Sequence, residues 1–179
     1  MTDICIQYHK TKIGELVLGS FEGRLCLLDF NYRKKRKAVD DRLKKGLNAD
    51  FIEEDSEIIE KTRTELDEYF QENRQEFDVP IQMVGTDFQK SVWNSLLKVA
   101  YGTTSSYLQL AKYINNEKAV RAVAGANAAN AIAIIIPCHR IIGSNGDLVG
   151  YAGGLPTKKR LLVLEKKQDF YTQIPLPLS

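Results

Sequence analysis

Cysteine and long apolar runs are both scarce in this chain of 179 residues. The three cysteines are an odd number and form no CxxC pair. This pattern argues against a disulfide framework and favours a reducing compartment, so we expect a cytoplasmic protein. Residues 1–12 contain Asp3 and lack an apolar core run, so we expect no signal peptide. The longest apolar stretch, residues 128–137, is interrupted by Asn130 and is too short to span a bilayer, so no membrane partner is expected.

A strong overall charge is also missing, because the formal net charge is only +2. By itself this value predicts no polyanionic partner. The charges are unevenly distributed, however. Residues 1–86 carry 14 Lys and Arg against 18 Asp and Glu, a net charge of −4, whereas residues 87–165 carry 9 against 4, a net charge of +5. We therefore expect any nucleic acid to contact the second half of the chain.

The beginning of the chain predicts a small sheet. Residues 20–23 predict a tight turn in which Gly23 takes a positive φ angle, so the runs on either side form a hairpin. The strand-like runs are Ile4–Tyr8, Gly14–Gly19 and Arg24–Phe30.

A basic run and a helix follow this sheet. We interpret Arg33–Lys37 as a solvated loop that leads into a short helix, with a nuclear-import or DNA-contacting patch as the alternative. Apolar residues at helical spacing predict a helix over Asp55–Asn73. Residues 77–84 then predict a strand or an extended link, and Gly85–Thr86 predicts the hinge between two halves.

The second half is predicted to be mainly helical. Thr86 is a plausible N-cap for a helix over Asp87–Ala100, and Ser105 or Ser106 starts a second helix that ends at Tyr113. After a turn, a third helix is expected over Lys118–Ala128, which gives a helix-turn-helix pattern.

The third of these helices is unusually bare. It offers Arg121 and Asn127 but almost no other side chain that could read a major groove. Such a helix can approach a nucleic-acid backbone or a narrow groove closely, but it could hardly specify a sequence. We therefore expect DNA binding with little sequence preference.

The stretch over residues 134–142 carries the chemistry. Its isoleucines predict a buried strand, which Pro137, Cys138, His139 and Arg140 interrupt. A cysteine beside an imidazole and a guanidinium is expected to have a lowered pKa, which favours the reactive thiolate. Cysteine is among the most often buried residues, and a structural role suits the other two cysteines, which lie within apolar strand patterns.

Neighbouring residues of an extended chain project to opposite sides, so we expect His139 to act on Cys138 through a bridging water. The imidazole also needs a partner that fixes its tautomer, and a carboxylate serves well. Glu165 is the preferred candidate because it ends a helical run that begins at Lys158, although an exposed glutamate at a helix end stays possible. The other acids of the second half are Asp87, Glu117 and Asp147.

The run Pro137–Arg140, followed by Tyr151–Leu155, resembles the O6-alkylguanine-DNA alkyltransferase family. The matching elements occur in order between Phe88 and Glu165. The resemblance implies an α+β protein with an RNase H-like sheet-plus-helix domain over residues 1–85. A mainly helical, winged helix-turn-helix alkyltransferase domain is implied over residues 86–167, with a tail over residues 168–179.

The family resemblance also implies a set of catalytic residues. Cys138 is the alkyl acceptor, His139 acts through water as its base, and Glu165 orients His139. Tyr107 hydrogen-bonds or protonates guanine N3, so that the purine leaves as a neutral base. Asn130 matches the hinge asparagine that joins the third helix to the reactive segment.

Arg121 is implied to enter the minor groove and to fill the space left by the flipped nucleotide, while small residues let the helix approach DNA closely. The residues implied to contact DNA are Arg121, Tyr107, Ala119, Ala122, Gly125, Ala126 and Arg140. Those implied to line the alkyl pocket are Tyr151, Ala152, Gly153 and Val149. Family members often carry prolines where this chain has Ala131 and Ala133, which affects the expected rigidity and width of the pocket.

The implied function is direct-reversal DNA repair, in which a methyl or other alkyl group moves once from O6 of guanine to Cys138. The implied partner is double-stranded DNA bound through its minor groove by a monomer, and we expect neither a cofactor nor a metal. The main alternative is a protein that binds the lesion and flips the base without transferring the alkyl group. A transcription regulator and a cysteine hydrolase are further alternatives from other classes.

Overall fold

The computed structural model describes residues 2–166. Within them the chain forms two compact units. The N-terminal unit contains residues 2–86 and 131–133, and the C-terminal unit contains residues 87–130 and 134–166. Residue 167 and the predicted tail over residues 168–179 lie outside the described residues. Among these residues, no helix has the length and hydrophobicity that a membrane-spanning segment needs.

The N-terminal unit is built on a four-stranded sheet with the order β3-β2-β1-β4. The three predicted strands are confirmed and are antiparallel neighbours, whereas the short β4 pairs in parallel with β1 and was not predicted. The hairpin turn between β2 and β3 is shorter than expected, because only Glu22 and Gly23 form it, with φ angles of 47° and 77°. The strands are β1 (Ile4–Thr11), β2 (Gly14–Phe21), β3 (Arg24–Phe30) and β4 (Phe51–Glu53).

Two helices complete the N-terminal unit. The basic run leads into α1 (Arg36–Leu47), which is longer than the predicted short helix and already includes the last two residues of that run. The predicted second helix is confirmed as α2 (Glu57–Phe70), which starts where the Ser56 hydroxyl accepts a hydrogen bond from the Ile59 amide. Its apolar face, which includes the buried Leu66, packs on the sheet.

The outer edge of β3 is covered by two extended segments. Residues 77–84 form an extended link with a single bridge, between Ile81 and Leu25. On the same strand, Leu28 donates to the Ala131 carbonyl at 2.8 Å and accepts from the Ala133 amide at 2.7 Å. A proline at position 133 has no N–H to donate, so alanine permits this second bond. These contacts protect an edge that would otherwise be open to pairing with another chain.

The C-terminal unit contains four α-helices and one two-stranded parallel pair. The pair joins β5 (Ser105–Ser106) to β6 (Ile141–Ile142). The Ser106 hydroxyl accepts from the Gln109 amide, so Ser106 is the cap of the second helix. The helices are α3 (Asp87–Leu96), α4 (Tyr107–Tyr113), α5 (Val120–Ala128) and α6 (Leu155–Lys166).

Two of these helices are shorter than predicted. Helix α3 ends before Ala100, because the amides of Lys98 and Val99 donate to the carbonyls three residues earlier in the chain. This 3₁₀-type pattern tightens the last turn. Helix α5 follows a separate 3₁₀ turn over Glu117–Ala119. The two helices are tied together by Trp93, whose indole N–H donates to the Ala126 carbonyl at 2.8 Å.

The predicted buried strand over residues 134–142 is wrong except at β6. Ile134 has a φ angle of +71°, and residues 138–140 form a 3₁₀ turn. Amide bonds from Cys138 to the Ile136 carbonyl and from Arg140 to the Pro137 carbonyl close the backbone on itself. The isoleucines are therefore buried by compact turns, and the alternating projection expected of a strand does not apply to Cys138 and its neighbours.

Candidate active site

Cys138 lies at the start of the 3₁₀ turn and is only 4% exposed. The side-chain amide of Asn130 donates to its sulfur at 3.2 Å and to the Ile136 carbonyl at 3.0 Å. Asn130 itself is buried just beyond the end of α5. One amide group therefore fixes the turn that carries the cysteine and places a hydrogen-bond donor on its sulfur.

His139, Glu165 and Arg140 form a buried cluster next to this cysteine in the chain. His139 Nε2 lies 2.7 Å from Glu165 Oε1. Arg140 donates to both oxygens of the same carboxylate, at 2.8 and 2.9 Å, and to the Val99 carbonyl at 2.7 Å. The carboxylate thus receives hydrogen bonds on both oxygens, and its charge is matched by a guanidinium in a two-pronged geometry.

The electrostatics of this cluster favour a neutral imidazole beside an ionised carboxylate. Burial lowers the pKa of His139, and the negative charge of Glu165 only partly opposes that effect. Burial alone would raise the pKa of Glu165, but its hydrogen bonds and charge interactions with His139 and Arg140 hold that pKa far below its usual range. His139 is therefore neutral near pH 7, so one of its ring nitrogens carries a lone pair.

The second ring nitrogen of His139, Nδ1, is buried and forms no hydrogen bond within the part of the chain that the structure describes. Because Nε2 faces a carboxylate, the tautomer with the proton on Nε2 is favoured, which leaves the lone pair on Nδ1. The lone pair of this imidazole is therefore directed away from Glu165.

Lys158 is a buried cation that our sequence reasoning missed as a site residue. Its ammonium group donates to the carbonyls of Val149 at 2.7 Å and Gly150 at 3.2 Å. Burial lowers the pKa of Lys158 to about 8, while negative charge on Cys138 acts in the opposite direction. A signal was available, because Lys158 shares one face of α6 with Leu161, Leu162 and Glu165.

Tyr107 stands at the first position of α4 and is half-buried. Burial raises the pKa of its phenol, negative charge on Cys138 raises it further, and a hydrogen bond with the Asn127 side chain lowers it. A Cβ atom at Gly150 would lie 4.0 Å from the phenol oxygen. Tyr107, Cys138 and the segment around Gly150 therefore face the same region of the C-terminal unit.

The predicted pocket residues lie on the segment before α6. The Tyr151 ring meets the His139 ring edge-on, with centroids 6.4 Å apart. Gly153 is buried, Ala152 is half-buried and Val149 is exposed. The Lys158 ammonium group donates to the carbonyls of residues 149 and 150, so α6 anchors this segment.

Some of the predicted DNA-contacting residues lie on the exposed face of α5. Arg121, Ala122 and Gly125 are exposed, and Ala119 is half-buried just before the helix. Ala126 is a correction, because it is only 4% exposed and its carbonyl already accepts a hydrogen bond from the Trp93 indole.

Arg140 is a second correction. Its side chain is buried and its donors point to Glu165 and Val99 rather than to solvent. This placement argues against the DNA contact expected from the sequence and assigns Arg140 to the support of Glu165.

The remaining cysteines have different surroundings. Cys26 is buried in β3, and burial raises the pKa of its thiol to about 12. Cys5 lies in β1 and is half-buried. Over residues 2–166, no group of three or more His, Cys, Asp or Glu side chains is placed to hold a metal ion.

The chain belongs to the 6-O-methylguanine DNA methyltransferase family. The ribonuclease-like domain of that family matches residues 4–83, and its DNA binding domain matches residues 87–167. The α+β fold class, with a ribonuclease-like sheet domain and a helical DNA-binding domain, is thereby confirmed, as is the family resemblance read from the sequence.

Individual relatives agree with this assignment. The chain is 44% identical to a methylated-DNA–protein-cysteine methyltransferase of Methanosarcina acetivorans over 156 residues, which cover 87% of this chain and 94% of the relative. It is 42% identical to the inducible methylated-DNA–protein-cysteine methyltransferase of Bacillus subtilis, covering 74% of each chain. The crystal structure of Mycobacterium tuberculosis OGT in complex with DNA matches with a TM-score of 0.77 at 35% identity, covering 95% of this chain and 94% of that one.

Proposed function

We propose that this protein repairs DNA by direct reversal and transfers an alkyl group from O6 of guanine to Cys138 in a single turnover. The observation that carries the proposal is the surroundings of Cys138. A buried sulfur accepts a hydrogen bond from Asn130 and is followed in the chain by a histidine that a buried carboxylate orients. The relatives named methylated-DNA–protein-cysteine methyltransferase support the same chemistry.

The first step activates the thiol. The Cys138 proton passes to Nδ1 of His139 through one water molecule, and Glu165 stabilises the imidazolium that forms. The ammonium group of Lys158 and the amide of Asn130 stabilise the thiolate, the first by charge and the second by its hydrogen bond. Arg140 acts one step further out, because it holds the carboxylate that orients the base.

The transfer itself is an in-line displacement at carbon. The sulfur forms a bond to the alkyl carbon while the bond between that carbon and O6 breaks, and the electron pair of the broken bond stays with the purine. Tyr107 donates a hydrogen bond or a proton to guanine N3, which disperses this negative charge. The proton lost by the thiol is balanced by the one gained by guanine, so the products are a thioether and an unmodified base.

The target atom lies within the duplex, so the nucleotide must be rotated out of the stack, at a cost of a few kcal/mol. We assign this step to α5. Its small exposed residues allow close approach to the minor groove, and Arg121 fills the gap left by the base. Because these contacts reach phosphates and groove walls, DNA binding depends little on base sequence. We further propose that the protein acts as a monomer and in the cytoplasm.

The thioether is a poor electrophile, so the protein is consumed by its own reaction. The test is the intact mass of the protein after incubation with excess duplex DNA that carries O6-methylguanine. We expect an increase of one methyl group, about 14 Da, in every molecule, followed by no further change. Repeated turnover, or binding of the lesion without any gain in mass, would contradict the proposal.

A further inference from the structure

Residues 34–37, at the start of α1, form a basic patch that the mechanism above does not use. Lys34 and Lys35 are exposed and form no hydrogen bond or ion pair within residues 2–166. Lys37 pairs with Asp41 at 2.6 Å, but its side chain is 88% exposed, so this pair is weak in water. The basic patch therefore presents three neighbouring lysines to solvent.

The charge around the basic patch is opposite to that of the rest of the N-terminal unit. Residues 29–42 carry six Lys and Arg against three Asp, a net charge of +3. The other residues of the range 1–86 carry 8 Lys and Arg against 15 Asp and Glu, a net charge of −7. The positive charge is thus confined to one segment of an otherwise acidic unit.

Two less exposed guanidinium groups add to the positive potential of this segment. Arg33 is 9% exposed and donates to the buried Asp29 at 3.1 Å. Burial lowers the pKa of the half-buried Arg42, the charge of Arg33 lowers it further, and the charge of Asp29 acts in the opposite direction. Arg33 and Arg42 therefore lie close enough to repel each other around one carboxylate.

The basic patch lies where it is unfavourable for its own helix. Helix α1 has Lys35 at its N-cap position, without a side-chain capping bond, and no acidic residue in its first turn. Helix α2 of the same unit has the usual arrangement, because Ser56 caps it and two glutamates lie in its first turn. The dipole of a helix repels cations at its N-terminus. A local choice that opposes the fold is expected where function requires it, and a bound anion would relieve the repulsion.

The arrangement of the lysines suits a polymeric anion better than one small anion. The lysines are exposed along the chain rather than buried around a common point, and an ammonium group lacks the two-pronged geometry that selects a single anion. A DNA duplex presents one phosphate charge for about every 1.7 Å of its axis. A DNA binding domain matches residues 87–167, so DNA is the polyanion that this protein meets.

We propose that the basic patch at the start of α1 is a second DNA contact, in which Lys34, Lys35 and Lys37 bind phosphate groups of the duplex backbone. This contact lies on the unit that does not contain Cys138, and it adds affinity without sequence preference. The inference rests on the proposed function for the identity of its partner.

The test measures how the affinity for an unmodified DNA duplex depends on salt. Equilibrium binding of the full chain is followed between about 50 and 200 mM NaCl for the wild type and for the double variant Lys34→Gln/Lys35→Gln. We expect the double variant to bind more weakly and its slope of log affinity against log salt to be shallower by about 1.8, since each lost phosphate contact removes about 0.9. Its reaction with free O6-benzylguanine should keep the wild-type rate.

A matched double variant controls for overall charge. Lys44→Gln/Lys45→Gln removes the same two charges from the last turn of α1 and is expected to keep the wild-type slope.

A charge reversal separates binding from folding. Lys35→Asp places a negative charge beside the first amides of α1, so it should raise the urea midpoint of unfolding while it weakens DNA binding. Weaker binding together with a lower urea midpoint would mean that the loss of affinity comes from a damaged helix, which would overturn the inference.

The remaining outcomes distinguish the inference from the function. If the wild type transfers methyl groups from duplex DNA but the Lys34→Gln/Lys35→Gln slope equals that of the wild type, the inference is overturned and the proposed function stands. If both double variants lower the slope equally, only the overall charge matters, which also overturns the inference. If the wild type neither binds duplex DNA nor transfers a methyl group from it, the proposed function fails and the inference fails with it.

Discussion

The surroundings of Cys26 and Cys138 differ far more than their burial. Cys26 is 1% exposed and Cys138 is 4% exposed, so access to solvent does not separate them. Cys26 lies among apolar neighbours in the sheet of the N-terminal unit, and its thiol donates to the Gly19 carbonyl at 3.5 Å. Cys138 accepts from Asn130 and lies near a buried lysine. Polar surroundings, rather than exposure, therefore distinguish the cysteine that we propose as the nucleophile.

The largest expected effect separates the two cysteines directly. Cys138→Ser should reduce alkyl transfer below detection, because a serine hydroxyl is a far weaker nucleophile than a thiolate. Cys26→Ser should transfer at the wild-type rate but unfold more easily, since it buries a hydroxyl in an apolar sheet. Transfer is measured with radiolabelled methyl DNA and stability by urea unfolding. Activity that survives in Cys138→Ser would show that the wrong sulfur has been assigned.

The second prediction removes the carboxylate that orients His139. Glu165→Gln should slow transfer by about 10³-fold, because it weakens the base and leaves Arg140 buried without its counter-charge. The reactions with duplex DNA and with free O6-benzylguanine should slow together, since both need the thiolate. Single-turnover rates check this, with Glu117→Gln on the exposed 3₁₀ turn as the control. Thermal melting must first show that the variant is folded, and a folded variant with wild-type rates would refute the role.

The third prediction concerns the cation near Cys138. An unfolded lysine binds its proton up to a pKa of 10.5, whereas burial lowers the pKa of Lys158 to about 8 in the folded protein. Between these values the unfolded state binds more protons, so the folded state gains stability as pH rises. From pH 8 to 10.5, the wild type should gain roughly 3 kcal/mol of unfolding free energy relative to Lys158→Met.

Urea unfolding of the wild type, Lys158→Met and Lys159→Met over this pH range measures that gain. Lys159 is the adjacent, half-buried lysine of the same helix, and its removal should leave the pH dependence unchanged. A parallel pH profile for wild type and Lys158→Met would mean that Lys158 is not a desolvated cation.

The smallest expected effect separates base flipping from chemistry. Arg121→Ala should slow repair of duplex DNA by roughly tenfold or more, because the gap left by the flipped base is no longer filled. The same variant should react with free O6-benzylguanine at nearly the wild-type rate, since a free base needs no flipping. Equal slowing of both reactions in a folded protein would remove Arg121 from the flipping step.

The sequence predicted the elements whose residues alternate or repeat with a regular period. The apolar patterns predicted the three long strands and α2, and the capping chemistry of serine predicted the start of α4 at Ser106. The short β4 was missed because three residues carry no recognisable period. The turn that holds Cys138 was mistaken for a strand, since its shape depends on contacts from Asn130 that lie outside the local sequence pattern.

The candidate site shows the same division. Cys138 stands out because polar residues follow it within an apolar stretch, but the sequence alone left Glu165 open between a buried partner and an exposed helix end. Glu165 lies 26 positions from His139 and 25 from Arg140 in the chain, so no local sequence pattern encodes their contact.

Peptide mass spectrometry can identify which of the three cysteines accepts the alkyl group. The protein is incubated with a limiting amount of O6-methylguanine duplex, digested, and the methyl content of each cysteine is measured. We expect one methyl group on Cys138 for each lesion repaired and none on Cys5 or Cys26. Methylation of either of those two cysteines, or lesion loss without a methylated cysteine, would contradict it.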